Sequence, residues 1–224
     1  MDVLEALVTR KSIRGFKRDP VPREVLRDIL QLAVRAPSGV NSQPWEFFVL
    51  VGDAIENVKR GHIARVRSGV LPNPEHGVTG WPRDSVYRQR QVALAMQLFQ
   101  LMGISKEDKE KKRQWMERGF RFFDAPAAII IVVDRSIIEK APLLDIGAVM
   151  QSICLAALSR GLGTCIEDQG VMYPQVIRKF AGVPESKRIV ISIAIGYPDW
   201  DFPANKVESP REPIDSITTW CGFE

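Results

Sequence analysis

The chain has 224 residues, 45% hydrophobic and 26% charged, an ordinary globular composition with enough length for one sizeable core. Its formal net charge of +4 comes from 31 basic and 27 acidic residues that are scattered along the chain, which argues against a nucleic-acid partner and mildly favours anionic ligands. Three widely spaced cysteines, Cys154, Cys165 and Cys221, form no Cys-x-x-Cys pair and fit a reducing compartment, while two histidines, His62 and His76, both read as surface residues, are too few for a His-rich metal site and badly placed for a Ser-His-Asp arrangement.

The first residues, Met1-Asp2-Val3-Leu4-Glu5, carry early acids and do not read as a secretory signal. No stretch approaches about eighteen consecutive apolar residues, so the expectation is a soluble, cytoplasmic protein without a membrane partner. Asp2 can cap a first helix with Val3, Leu4, Leu7 and Val8 as its apolar stripe. After Pro20-Val21-Pro22 a second helix, with Pro22 in its first turn, is expected to run to about Ala36. Glu46 to Val51 reads as a strand, and Asp53 can cap a helix to about Val66.

From Ser68 to Pro82 the chain is rich in Gly, Pro and Asn and reads as a long irregular excursion. Helices are expected over Ser85 to Met102 and over Lys106 to Phe123, the latter with a solvated charged first half. Ala127 to Val133 is a continuous apolar run that fits a strand buried on both faces. The helix from about Leu143 to Arg160 is apolar almost all round and must be covered on every side, by the core or by a second subunit. Gly161 suits its C-cap, and a short strand, Gly163 to Ile166, leads into Glu167-Asp168-Gln169-Gly170. A Rossmann reading of Gly161-Leu162-Gly163 fails, because that pair follows a helix and precedes a strand. A helix over Tyr173 to Ala181, a last core strand over Lys187 to Ile195, and an irregular tail from Asp201 containing Arg211, Trp220 and Phe223 complete the chain.

Two stretches concentrate the chemistry. In extended backbone, side chains two apart point the same way, so Arg10, Ser12 and Arg14 would present two guanidinium groups and a hydroxyl to an anion. The same residues also fit a basic, solvated helix end. The second stretch, Pro37-Ser38-Gly39-Val40-Asn41-Ser42-Gln43-Pro44-Trp45, offers backbone N–H groups and amides to a planar polar ligand, although a plain helix-to-strand loop uses many of the same residues.

Arg-x-Ser-x-Arg-x-Phe, a helix, then Pro-Ser-x-x-Asn-x-Gln-Pro-Trp resembles the FMN-dependent nitroreductase family, and the match extends over nearly the whole chain. The resemblance implies an α+β fold, an α/β sandwich with a central, mainly antiparallel sheet flanked by helices, paired as an intertwined homodimer. It implies a single domain over 1–224, with 68–123 as an excursion covering the flavin and 201–224 as a tail wrapping the partner. It implies FMN as cofactor, NADH or NADPH as electron donor, a small nitroaromatic or quinone-like acceptor and ping-pong hydride transfer. Reductive dehalogenation, enone reduction, or flavin binding without turnover remain alternatives on the same fold.

Residue by residue, the resemblance assigns the flavin phosphate and ribityl chain to Arg10, Ser12 and Arg211, with Lys11 giving main chain. Arg14 falls at the pyrimidine end of the ring, where a cation favours the anionic reduced flavin. Pro37, Ser38, Gly39, Asn41 and Gln43 line the ring from the partner subunit, and Glu167 or Asp168 supplies a backbone N–H to flavin N5. No side chain need be a dedicated base, and no metal is implied. Two departures stand out. Ser209 occupies the place of a tail lysine, which shifts the burden to Arg10 or Lys206. Tyr87-Arg88-Gln89-Arg90, after Trp81-Pro82, is similar to the nitrobenzoate-reductase-like branch, where Trp81, Tyr87 and Arg88 would select an aromatic acceptor; a helix with a polar face is the alternative.

Overall fold

A computed structural model describes residues 2–77 and 80–223; residues 78 and 79 of the expected excursion and residue 224 of the expected tail lie outside the described residues. Four strands, β1 (Glu46–Val51), β2 (Ala127–Asp134), β3 (Gly163–Glu167) and β4 (Lys187–Gly196), pair in the order β1-β2-β4-β3, each neighbouring pair antiparallel. β2 is central, and its residues from Ala127 to Val133 are fully buried, as their unbroken apolar run requires.

Alternation along the strands divides the core into two layers. Ala128, Ile130 and Val132 face one side, where Val58 of α3 (Gly52–Arg67) and Ile177 of α7 (Pro174–Ala181) cover them. Ile129, Ile131 and Val133 face the other, against Ile29 of α2 (Arg23–Ala33) and Val149 and Ile153 of α6 (Leu143–Ser159). The pairing slips by one residue between Ile131 and Val132, a bulge that adds twist where β2 meets β4.

The excursion contains α4 (Val86–Leu101) and α5 (Lys109–Phe120). Its start is pinned by Glu75, which accepts two bonds from Arg178 Nη2 at 2.7 and 2.8 Å and one from the backbone N–H of Ile189 at 2.8 Å. The tail packs first on α4: Leu98 meets Ala204 and Val207, the Glu208 N–H donates to Gln97 Oε1 at 3.1 Å, and Arg90 pairs with Glu212 at 2.9 Å. No helix among the described residues is long and apolar enough to cross a membrane.

Several local expectations are corrected. Pro22 is the N-cap of α2 and not part of its first turn. Asp53 does not cap α3; Gly52 has φ +54°, so the chain turns from β1 straight into helix and Asp53 falls inside the first turn. The charged helix begins only at Lys109, capped by Asp108 through the Lys111 N–H at 2.8 Å, and ends at Phe120. Beyond it Phe122, Phe123 and Asp124 all adopt left-handed backbone, with φ of 54°, 51° and 60°. His62 is not a surface residue. It is 0% exposed on the inner face of α3, where its Nδ1 lies 2.9 Å from the Phe120 carbonyl and its ring sits between Phe122 and Tyr173. The expected stripe of the first helix, α1 (Val3–Thr9), is uncovered within the chain: Val3, Leu4, Leu7 and Val8 are exposed and Ala6 is buried.

Candidate functional site

The stretch after α1 is extended because it is bound to the sheet. Ser12 bridges Thr164 of β3 in parallel, the Ile13 N–H donates to the Thr164 carbonyl at 2.9 Å, and Phe16 bridges Pro198. Ile13 is buried, so Ser12 and Arg14 flank a buried anchor and Arg14 Nη1 reaches back to the Ser12 carbonyl at 3.4 Å. Among the described residues, Arg10, Lys11 and Arg14 form no ion pair with an acid, which leaves three uncompensated cations along the outer edge of β3. Arg10 and Lys11 also border a recess of about 230 Å³ with Thr164 and Trp200.

At the end of β3, Glu167 is 7% exposed and neither of its carboxylate oxygens has a hydrogen-bond partner among the described residues. Burial raises its pKa well above the ordinary carboxylate value, with the Arg14 guanidinium opposing the shift. Its backbone is held by Ser192 Oγ, which donates to the Glu167 carbonyl at 2.7 Å. Asp168 is exposed at the turn that follows. Desolvation also pushes the Cys165 thiol up to about 12, so this buried cysteine is inert as a nucleophile.

The Pro37 to Trp45 loop is strained. Val40, Asn41 and Gln43 have φ of 46°, 59° and 47°, and Ser38 Oγ accepts from the Gln43 N–H at 3.0 Å. The Gly39 N–H donates to Asp145 Oδ1 at 3.1 Å, tying the loop to the first turn of α6. Gly39 meets α6 at Asp145 near its start, whereas Arg10 and Lys11 share a recess with Cys154 and Leu158 toward its end, and no hydrogen bond among the described residues joins the loop to the Arg10 to Arg14 segment, so one chain holds the two stretches apart. Arg211 is likewise apart: it is exposed and bonds Ser209 Oγ at 3.1 Å. Trp81 and Tyr87 stack on each other with ring centroids 5.0 Å apart, both well exposed, and Arg88 donates to Gln91 Oε1 at 2.6 Å.

Two residues beside Arg14 carry no signal in the sequence. Asn205 and Arg118 hydrogen-bond its main chain, and neither has a local signal, since Asn205 lies 191 positions away and Arg118 lies 104 away. Arg118 also borders a cleft of about 1110 Å³ with Arg18, Lys59, Arg60, Arg67 and Arg121; that cleft contains none of Arg10, Ser12, Arg14 or Arg211. Most of its cations are neutralised within the chain, Lys59 by Glu56, Arg67 by Glu117, and Arg118 and Arg121 by Asp124.

The same architecture recurs in known proteins. The FMN- and NADPH-dependent nitroreductase NfnB from sphigopyxis sp. strain HMH superposes with a TM-score of 0.93 at 29% identity, over 100% of both chains. A nitrobenzene nitroreductase of Ectopseudomonas oleovorans is 34% identical over 94% of this chain and 93% of the relative. A 4-nitrobenzoate reductase of Nocardioides sp. (strain LMS-CY) is 32% identical over 98% of this chain and 90% of the relative. The nitroreductase family model matches residues 7–197, and the chain belongs to the nitroreductase family.

Proposed function

We propose that this chain is an FMN-dependent oxidoreductase that uses NADH or NADPH to reduce nitroaromatic or quinone-like acceptors in a ping-pong order. The observation that supports it most directly is the extended Arg10 to Arg14 segment, whose cations lack acidic partners among the described residues and run beside the buried, unpartnered carboxyl group of Glu167. That donor set fits FMN: two guanidinium groups and a hydroxyl suit a phosphate and a ring that gains negative charge, and orphaned carboxyl oxygens suit a polar partner that the chain does not itself provide. Relatives named as FMN- and NADPH-dependent nitroreductase or as nitrobenzoate reductase support the same assignment.

FMN, when bound, would supply the two-electron chemistry that links the nicotinamide to the acceptor. The chain's own groups bind and orient. Arg10 and Ser12 hold the phosphate, Lys11 gives main chain, and Arg211 joins them from the tail. Arg14 keeps a positive charge by the pyrimidine end of the ring. The main chain at Glu167 and Asp168 offers an N–H at the other reactive edge. Pro37, Ser38, Gly39, Asn41 and Gln43 come from the partner subunit of a homodimer, which accords with their separation from Arg10 to Arg14 within one chain. Residues 68–123 cover the flavin, and Trp81, Tyr87 and Arg88 select an aromatic, anionic acceptor. Purification tests the core of this reading: a yellow protein, or an apoprotein that takes up added FMN, is expected, and a colourless protein that fails to bind FMN overturns it.

A further inference from the structure

Arg14 is held from both sides by groups far away in sequence. Asn205, 2% exposed, accepts from the Arg14 N–H at 2.7 Å and the Gly15 N–H at 3.2 Å through Oδ1, and its Nδ2 donates to the Gly15 carbonyl at 2.8 Å and the Asp199 carbonyl at 2.7 Å. From the opposite direction Arg118 Nη2 donates to the Arg14 carbonyl and the Phe123 carbonyl, each at 3.2 Å. Every main-chain polar group of Arg14 and Gly15 is therefore taken up, with the Asp199 N–H adding a bond to the Gly15 carbonyl at 3.1 Å.

The grip is itself braced. The Arg118 guanidinium lies 4.5 Å from the centroid of the Phe202 ring, and Nη1 donates to Asp124 Oδ2 at 2.7 Å. Phe202 can lie so close only because residue 15 is glycine: a Cβ there would sit 2.2 Å from Phe202 Cγ. Arg121 Nε fixes the other oxygen of Asp124 at 2.6 Å, which locks the left-handed Phe122 to Asp124 turn. Such left-handed backbone is unfavourable for non-glycine residues and persists only where its surroundings over-determine it. What it places is the Phe123 ring, 6.0 Å from the Arg14 guanidinium. Main chain and side chain of Arg14 are thus set by one assembly.

We propose that Asn205 and Arg118 are positioning residues for Arg14: they fix its main chain from two sides so that its guanidinium holds one place, and they act on the redox poise of bound FMN through Arg14. This rests on the assignment of Arg14 to the pyrimidine end of the flavin. A cation raises the potential of a ring that becomes anionic on reduction only as long as it stays close, and a loosened Arg14 swings toward water, where the dielectric screens it.

The test is a double-mutant cycle on the two-electron potential of the FMN-loaded protein, combined with amide exchange of the apoprotein. Arg14→Ala is expected to lower the potential. Arg118→Met and Asn205→Ala should each lower it by the equivalent of about a tenfold change in the reduction equilibrium, roughly 30 mV for a two-electron couple, and should have little effect once Arg14 is already alanine. Arg118→Lys, which keeps the charge and one donor, should restore most of the value. If Asn205→Ala does not fold, Asn205→Asp keeps the acceptor oxygen and replaces it in the cycle. In the apoprotein the Arg14 and Gly15 amides should exchange slowly, and rapidly in Asn205→Ala. Equal shifts with and without Arg14, or a shift from Arg14→Ala alone, would overturn the positioning role. An unchanged potential in Arg14→Ala would overturn the assignment of Arg14 and this inference with it, while slow exchange at Arg14 and Gly15 would still report the clamp itself.

Discussion

Glu167 ends β3 with a buried carboxyl group whose oxygens have no partner among the described residues. Its folded-state pKa is raised by desolvation above that of the unfolded chain, so folding favours the neutral form. At pH well below the unfolded value both states are protonated and no penalty arises; as the pH climbs through that value the unfolded state gains its charge first, and stability is lost. The apoprotein of Glu167→Gln should therefore melt higher than the wild-type apoprotein at neutral pH, with the gain vanishing near pH 4. Thermal melts at the two pH values check this, and an unchanged or lowered melting temperature at neutral pH would contradict it. FMN should narrow the difference if it meets this carboxyl group. The Arg10, Ser12 and Arg14 pattern was legible in sequence because the two-residue period of an extended segment is local. The hold of Asn205 and Arg118 on Arg14 was not, because it joins segments that meet only in the fold.

At the scale of elements, β2 and α6 could be read directly, since unbroken apolar runs have few places to go. The boundary after α5 could not. Of Phe122-Phe123-Asp124 only the aspartate is a type that visits left-handed backbone readily; the bonds of Arg118 and Arg121 to Asp124 hold the turn from neighbouring positions. The burial of His62 was hidden for a similar reason: α3 carries charges near it, and only the packing of α5 and Tyr173 closes over the ring. This burial has a pH signature. Desolvation lowers the His62 pKa from 6.5 to about 4, against the opposing bond between Nδ1 and the Phe120 carbonyl. Above pH 6.5 the ring is neutral in both states. Between pH 6.5 and about 4 the unfolded chain takes up a proton that the fold refuses, so stability falls by up to about 3 kcal/mol across that window. Denaturant unfolding at pH 7 and pH 5 should show about 2 kcal/mol of this loss in the wild type and not in His62→Gln; parallel losses in both proteins would contradict the assignment.

For the whole molecule, the apolar surfaces left open by one chain form a consistent set. The α1 stripe is bare, Leu144 on α6 is exposed, and a groove of about 610 Å³ runs between the free edge of β1 and α2, lined by Val21, Leu26, Leu30, Phe47 and Val49. The tail presents Ile214, Ile217, Trp220 and Phe223 to solvent, the last two packed edge to face at 5.6 Å. An unpaired strand edge beside an apolar groove is a surface that proteins normally cover. We predict a homodimer in which residues 201–224 wrap the partner. Sedimentation should give twice the chain mass of 25.2 kDa, and deletion of 209–224, which removes Arg211, Trp220 and Phe223, should yield monomer with weakened FMN binding. A full-length protein that sediments as a monomer yet holds FMN tightly would contradict it. The fold class was legible through the family resemblance carried by the Arg10 to Phe16 and Pro37 to Trp45 motifs, whereas the strand and helix patterns marked the elements and not their order in the sheet. The distance between the Pro37 to Gln43 loop and Arg10 to Arg14 leaves no periodic mark in the chain, and only the family resemblance pointed to a partner subunit for that loop.

The most direct test of the central claim is anaerobic reduction of the FMN-loaded protein by NADH and by NADPH, followed by addition of a nitrobenzoate. At least one nicotinamide should bleach the flavin absorbance, and the nitrobenzoate should restore it in a separate, second phase. A protein that binds no FMN, or whose bound flavin neither nicotinamide reduces, would contradict it.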